Sequence, residues 1–311
     1  MKKVLSRILS APIQNKVLRY RVRGIIAYGP LKALKLRRKA RRNNTPQQYK
    51  LTLCAAAKNE APYLAEWIEY HKMMGVERFY IYDNESDDNT KEVLQAYIDS
   101  GLVEYRFMPG KKMQLAIYED CLERHRFDSQ WIAFIDIDEF IVPFKHTTIT
   151  DFLKEYEDFS AVQINWLCYG SAGQRERTPG LVIERFRDHA AEDDPQNRRV
   201  KSIVQPARVV NFSGAHECVR LTGKTVDPHK KTVNKICKEL PPAGLDIIRV
   251  NHYAVKSYEE FQAKKARGRA RFAGVRDDSY FTNFDLNDVK DDPAMDKYVA
   301  LVKEKLGEKT D

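Results

Sequence analysis

No window of about 18 uncharged apolar residues occurs in this chain of 311, so no segment of the sequence reads as a bilayer-spanning helix. Nor is there a cleavable-signal pattern, because Arg7, Lys16 and Arg19 interrupt any apolar core near the start. The five cysteines (Cys54, Cys121, Cys168, Cys218, Cys237) are odd in number and form no CxxC. That argues against a disulfide framework or a zinc ribbon, and the expectation is buried thiols in a reducing, cytoplasmic setting. Acidic residues are missing from the first 50 positions, which hold 15 of the 53 lysines and arginines. The other 261 residues carry 38 basic and 44 acidic side chains, a net charge of −6 beneath an overall +9. A basic arm on a mildly acidic body excludes a nucleic-acid-binding core, predicts no specific nucleic-acid partner, and calls for an anionic partner at the arm. With 43% hydrophobic and 31% charged residues, the body has the composition of a globular domain with a sizeable core.

Residues 1–42 interleave apolar side chains with cations. Leu5, Ile8 and Leu9 recur at helical spacing against a cationic face. Such a segment suits the surface of an anionic membrane, where each cation contributes about 1 kcal/mol. The polar run Asn43 to Gln48 reads as a linker, so residues 1–48 are expected to form a membrane-associating arm peripheral to the inner face.

From residue 49 onward strands and helices alternate. Leu51–Ala57, Arg78–Tyr82, Val103–Phe107 and Trp131–Ile135 are short apolar runs, and amphipathic helical segments separate them. The rhythm predicts an α/β, Rossmann-like, mostly parallel sheet with helices on both faces. In such sheets ligands bind beyond the carboxyl ends of the strands. Those ends carry Lys58-Asn59-Glu60, Asp83-Asn84 and Asp136-Ile137-Asp138-Glu139. In extended chain Asp136 and Asp138 would point to one side, and two adjacent carboxylates there call for a cation, Mn²⁺ or Mg²⁺.

Three stretches carry a resemblance: Ala57-Lys58-Asn59-Glu60, Tyr82 to Asp88, and Trp131 to Ile141 with its Asp-Ile-Asp-Glu-Phe block. Together they resemble the GT-A-fold glycosyltransferases, family 2-like enzymes and glycosyltransferase family 92 in particular, over about residues 50–270. The resemblance implies a nucleotide-sugar donor, UDP-linked foremost, and a divalent metal on the DxD. It places Asn59 and Glu60 along the nucleotide and Asp83 at its base or ribose. Asn84, Ser86 and Asp88 would shape the same pocket, and Lys112 and Gln114 would contact the donor from the helix before the DxD strand. His252 matches the family's late His-Tyr and is expected to join Asp136 and Asp138 as a metal ligand. Lys264 to Gly268 matches a Lys-x-x-Arg-Gly motif, so Lys264 and Arg267 are expected to face the leaving diphosphate.

Beyond Pro143 the pattern becomes mixed, as expected of an acceptor-binding half spanning 144–275 after a nucleotide half of 49–143. Trp166 and Tyr169 could stack on a sugar or serve the core. The glycines of Tyr169 to Gly173 do not form a phosphate-binding GxGxxG. Ser257 and Glu260 form a capping box that opens a helix running through Lys264, Arg267, Arg269 and Arg271. An inverting transfer needs a base. Glu217 and His216 are the leading candidates, with Asp188 behind them. Residues 276–311 turn acidic and end in an amphipathic helix, expected to pack on the body or pair with the arm. The resulting expectation is metal-dependent glycosyl transfer to a glycan or lipid-linked acceptor of surface-polysaccharide type. Metal-dependent phosphoryl transfer and an inactive membrane- or RNA-docking module are the alternatives.

Overall fold

The structure, a computed structural model, describes residues 10–14, 16–43, 46–233, 239–268 and 276–307. Leu5, Ile8, Leu9, Cys237, Arg269 and Arg271 lie outside them. In chain order the elements begin with a helical pair, α1 (Lys16–Tyr28) and α2 (Pro30–Arg42). The alternating half follows: β1 (Tyr49–Ala57), α3 (Ala61–Met73), β2 (Arg78–Asp83), α4 (Thr90–Asp99), β3 (Val103–Phe107), α5 (Gln114–His125) and β4 (Ser129–Phe134). The mixed half holds β5 (Glu139–Pro143), α6 (Ile149–Leu153), β6 (Ala161–Cys168), α7 (Val182–Arg185), β7 (Val200–Val204), β8 (Val209–Phe212), β9 (Cys218–Arg220) and β10 (Thr225–Val226). It closes with β11 (Ile248–His252), α8 (Tyr258–Ala266), α9 (Asp278–Phe284) and α10 (Asp296–Leu306).

Nine strands hydrogen-bond in the order β3-β2-β1-β4-β7-β6-β11-β5, with β10 on β6; β8 and β9 pair separately. The first four neighbours are parallel, as the alternating rhythm requires. β7 enters antiparallel between β4 and β6, and β5 is antiparallel to β11. Alternation along the strands separates two apolar layers. Leu51, Leu53, Ala55, Phe79, Ile81, Trp131 and Ala133 face the layer that takes Leu64, Trp67 and Ile68 of α3 and Leu94 of α4. Cys54, Tyr80, Tyr82, Ile132 and Phe134 face Ile117, Tyr118 and Leu122 of α5. Successive side chains point to opposite faces of a strand, so one sheet feeds both layers. The predicted α/β sandwich with helices on both faces is the observed one.

The basic arm is not loose. Ala33 and Leu36 of α2 are buried with Val210, Val219 and Leu221 of the β8–β9 hairpin. Arg21 of α1 donates to the Arg220 carbonyl at 3.2 Å and to that of Leu221. The apolar residues of α2 are thus divided between the body, with Ala33 and Leu36 buried, and the outside, with Leu31 and Leu34 exposed. The acidic C-terminal segment takes the first of its two expected roles, packing on the body: the Tyr298 and Tyr70 rings lie 5.2 Å apart, and Lys303 pairs with Glu184 at 2.6 Å. Gly170 explains why its loop needs glycine, since a Cβ there would meet the Leu286 carbonyl at 2.5 Å. It is a close-packing residue beneath that segment.

Candidate active site

β1, β2 and β3 end in register, Ala57 beside Asp83 and Asp83 beside Phe107. The loops that leave this edge therefore meet. Asp83 is buried; it accepts from the Ser86 amide at 2.8 Å and the Tyr105 hydroxyl at 2.7 Å. The Asn84 amide group donates to the carbonyls of Met108 and Gly110. Ser86 accepts from the Asn59 amide at 3.0 Å, and Asn59 and Asp87 exchange two further hydrogen bonds. Asp88 accepts from the Ala61 amide at 3.1 Å and the Thr90 amide at 3.0 Å, serving the first turns of α3 and α4 at once. Asn84, Ser86 and Asp88 thus spend these polar atoms on loop architecture, which is how they shape the edge. Asn59, Glu85, Lys112 and Lys256 all hold positive φ between 51° and 63° around this rim. Non-glycine residues in that region cost about 1 kcal/mol or more each and cluster at binding sites.

The Asp-Ile-Asp segment does not extend β4 as the spacing suggested. It turns, with the Glu139 amide donating to the Asp136 carbonyl at 3.1 Å, and the two aspartates part. Asp136 accepts from Gln114 at 3.2 Å and pairs with Lys201 at 2.7 Å. Asp138 is buried, pairs with Lys264, and lies 3.8 Å from His252 Nε2. Of the expected trio the structure gathers Asp138 and His252, with Glu139 as their third neighbour. Asp138, Glu139 and His252 each offer a donor atom within 4.8 Å of the others; Asp136 stands outside that cluster and pairs with Lys201, which also reaches Glu139 at 3.1 Å. Strand register explains the third neighbour: Glu139 on β5 sits directly opposite His252 on β11.

These three suit a divalent cation. Glu139 Oε1 and His252 Nδ1 are buried without a hydrogen-bond partner among the described residues, an arrangement costly enough to point to a missing ligand. Burial raises the Asp138 carboxyl, but Lys264 and His252 outweigh it and hold it well below the usual carboxylate range. Burial, with Asp136 and Asp138, pushes Glu139 well above its range in spite of Lys201. Burial keeps the His252 imidazole down and neutral, the form that ligates. Among the described residues this is the one such cluster, so the second carboxylate group that paired-cation phosphoryl transfer would use is not assembled there.

Lys264 connects the cluster to a cleft of about 250 Å³ lined by Asn59, Tyr63, Asp88, Lys256, Lys264 and Arg267. The capping box that starts α8 forms as expected, Ser257 and Glu260 exchanging hydrogen bonds of 3.2 Å. It sets the phase in which Lys264 and Arg267 share the inward face. Arg267 donates to the carbonyls of Lys58 at 2.7 Å and Asn59 at 2.8 Å and pairs with Glu60, locking α8 to the β1–α3 loop. Burial, reinforced by Lys264, brings the Lys256 ammonium down to about 8.

Trp166 turns its ring to His252, 4.0 Å between centroids, and His216 lies 5.5 Å from the same ring. His216 Nδ1 donates to the Val200 carbonyl at 2.8 Å. Glu217 accepts from Ser213 at 3.3 Å on the same hairpin loop. Tyr169 is a core residue, its hydroxyl donating to Asp292 at 2.6 Å. Asp188 is bound by Lys290 at 2.8 Å and by the Asp291 amide at 3.1 Å, so its carboxylate ties down the C-terminal segment. Lys112 is exposed on the turn before α5, while Gln114 opens that helix and reaches Asp136. Lys201, which supports Asp136 and Glu139, went unread in the sequence. Its signal was a lone charge inside the buried strand Val200-Lys201-Ser202-Ile203-Val204.

Comparison with known proteins places this sheet and its loops in a family. The glycosyltransferase family 92 profile matches residues 49–270. A family 92 protein of Oryza sativa subsp. japonica is 39% identical over 220 residues, covering 70% of this chain and 35% of its own length. A galactan beta-1,4-galactosyltransferase of Arabidopsis thaliana is 33% identical over 51% of this chain and 34% of its own. A beta-1,4-galactosyltransferase of Caenorhabditis elegans is 29% identical over 74% of this chain and 56% of its own. The chain thus spans from about a third to just over half the length of these relatives. Over the region that builds the sheet and its acidic edge, the chain belongs to glycosyltransferase family 92.

Proposed function

We propose that the protein transfers a hexose, galactose first among candidates, from a UDP-sugar to a hydroxyl of a glycan or lipid-linked acceptor, with inversion and with Mn²⁺ or Mg²⁺. The observation that carries the reading is the buried Asp138, Glu139 and His252 cluster at the carboxyl edge of the sheet, with Lys264 shared between it and the adjoining cleft. The names of two relatives, both beta-1,4-galactosyltransferases, support the sugar and the β-linkage. A β-product from an α-linked UDP-sugar is an inversion.

Asp138, Glu139 and His252 would hold the cation. When bound, it neutralises the diphosphate and makes it a better leaving group. The chain's own groups supply the rest. Lys264 and Arg267 present positive charge from α8 where the departing diphosphate gains negative charge. His216, whose Nδ1–H donates to the Val200 carbonyl, and Glu217 next to it on the loop are the groups offered as the base. Either can take the acceptor's proton.

The test is UDP release from UDP-galactose with Mn²⁺ and a β-galactoside acceptor. Asp138→Asn should cut turnover at least 100-fold, on the order expected for loss of a transition-state electrostatic contact. Loss of the base, through His216→Asn or Glu217→Gln, should cost about 10²–10⁴-fold. Failure to turn over UDP-, GDP- or CMP-sugars, with Asp138→Asn leaving nucleotide binding unchanged, would sink the reading.

A further inference from the structure

We infer that α2, fixed rigidly to the body, is a docking face for an anionic phospholipid surface. The helix Pro30–Arg42 carries seven lysines and arginines and no acidic residue. Its inner face is defined by Ala33 and Leu36, buried against Val210, Val219 and Leu221. Lys39 lies over the Phe127 ring at 4.5 Å, a further tie to the body. At helical spacing the opposite face presents Leu31, Leu34, Lys35, Arg38 and Arg42, all exposed. Leu31 and Leu34 are 75% and 46% exposed, although the helix has a buried face available for leucine. Lys35, Arg38, Lys39, Arg42 and Asn43 line a shallow groove of about 410 Å³, four cations and one amide with no acidic residue.

Charge complementarity selects an anionic occupant, and the leucines select which one. Phosphate contacts alone, as in non-specific nucleic-acid binding, need no apolar side chains. A helix lying in a lipid interface buries its apolar residues between the headgroups while its cations meet the phosphates. The platform is also rigid. Arg21 holds the β8–β9 hairpin, and Arg126 donates to the carbonyls of Pro206 at 2.6 Å and Val210 at 3.0 Å beneath it. The loop of this same hairpin bears His216 and Glu217. On the reading given above, the docking face therefore sits on the acceptor side of the site, which suits a lipid-linked acceptor.

The experiment is flotation of the full chain with vesicles of phosphatidylcholine, with or without about one quarter phosphatidylglycerol, at about 0.1 M salt. Binding is expected to the anionic vesicles only and to weaken as salt rises. Replacing Lys35, Arg38 and Arg42 together by Gln should weaken it on the order of 100-fold. Leu31→Ser with Leu34→Ser should weaken it about tenfold or more at unchanged charge. Lys230→Gln, on a different face, should change nothing. Equal binding to neutral vesicles, or no effect of either set of variants, overturns the inference. So does binding to a homopolymeric RNA that matches vesicle binding and ignores the leucine change, or self-association that the leucine change abolishes. Unchanged thermal unfolding checks that the variants fold. UDP release is a separate reading, so failure of the docking face and failure of glycosyl transfer are told apart.

Discussion

The two halves of the sheet handle their buried polar groups in opposite ways. At the ends of β1, β2 and β3, Asp83 and Asn84 are met by amides, carbonyls and a tyrosine hydroxyl, and among the described residues neither pairs with a lysine. Around β5, β7 and β11 the carboxylates of Asp136 and Asp138 are met by lysine ammoniums. Fixed dipoles make a preformed rim that need not rearrange to bind. Lysine counter-ions make a site in which a bound cation could replace an ammonium, as the proposed diphosphate and metal would require. The predictions that follow break this contrast from either side.

The largest effect is expected at Lys201. Its side chain is 1% exposed and bridges Asp136 at 2.7 Å and Glu139 at 3.1 Å. Burial opposes its charge, yet the two carboxylates raise it well above the usual lysine range. Lys201→Met should strand the Asp136 carboxylate, whose side chain is 36% exposed, and take the cation from the buried Glu139, destabilising the fold by about 3 kcal/mol, the low end for a buried pair. Adding Asp136→Asn and Glu139→Gln removes the charge that was stranded, so the triple variant should recover much of the loss in urea unfolding. A triple variant no more stable than Lys201→Met would show that packing, not charge, fixes this strand.

The first half has a buried titratable group that stays neutral. His71 is fully buried, donates through Nδ1 to the Trp67 carbonyl at 2.8 Å and accepts the Ile141 amide at 3.3 Å. Both ring nitrogens are thus satisfied in the uncharged form, and burial pushes its pKa down to about 3. Below about pH 6.5 the unfolded chain takes up a proton that the folded chain refuses. Its stabilising contribution is complete above that point and is lost as pH falls toward 3, by about 2 kcal/mol at pH 5. The slope of unfolding free energy between pH 5 and 6 should drop by about one proton in His71→Gln. An unchanged slope would place the acid sensitivity elsewhere.

What could be read in advance follows the same division. The parallel half was legible because each strand is an apolar run bounded by turn residues, and each helix carries its own stripe and stop. The capping box at Ser257 and Glu260 was legible because it is contained in four residues. The identity of the third cluster member was not. Asp136 and Asp138 share a side only in extended chain, and the turn at Ile137 that separates them leads into β5, whose partner β11 lies more than 100 residues further along the sequence. Lys201 was hidden for a related reason: its partners come from the turn after β4 and the start of β5, and only the oddity of a charge among valines marked it. The contacts of Asp188 were hidden too, because an acid in an irregular loop gives no sign that Lys290 and the Asp291 amide will meet it.

Exchange of counter-ions can be tested at Lys264. Its ammonium holds Asp138 and donates to the Ala254 carbonyl at 2.6 Å. Lys264→Met removes a competitor for the carboxylate and a partner for the diphosphate together. Titration calorimetry should therefore show Mn²⁺ alone binding more tightly and UDP with Mn²⁺ about tenfold more weakly, the size of one charge-assisted contact. Weakening of both would make Lys264 a structural brace and leave the cation exchange without support.

The smallest effect belongs to the rim. Asp88 accepts from the first turns of two helices, α3 through Ala61 and α4 through Thr90. Asp88→Ala should remove both caps and cost about 1–2 kcal/mol, whereas Asp88→Asn keeps one oxygen for one amide and should cost roughly half as much. The side chain also lines the cleft with Asn59 and Lys264, so the same pair of variants separates support from contact. If nucleotide affinity follows stability through Ala and Asn alike, Asp88 acts by holding the loop in shape. If Asn restores the fold but not the affinity, its charge reaches the ligand, and the rim of fixed dipoles carries one working carboxylate after all.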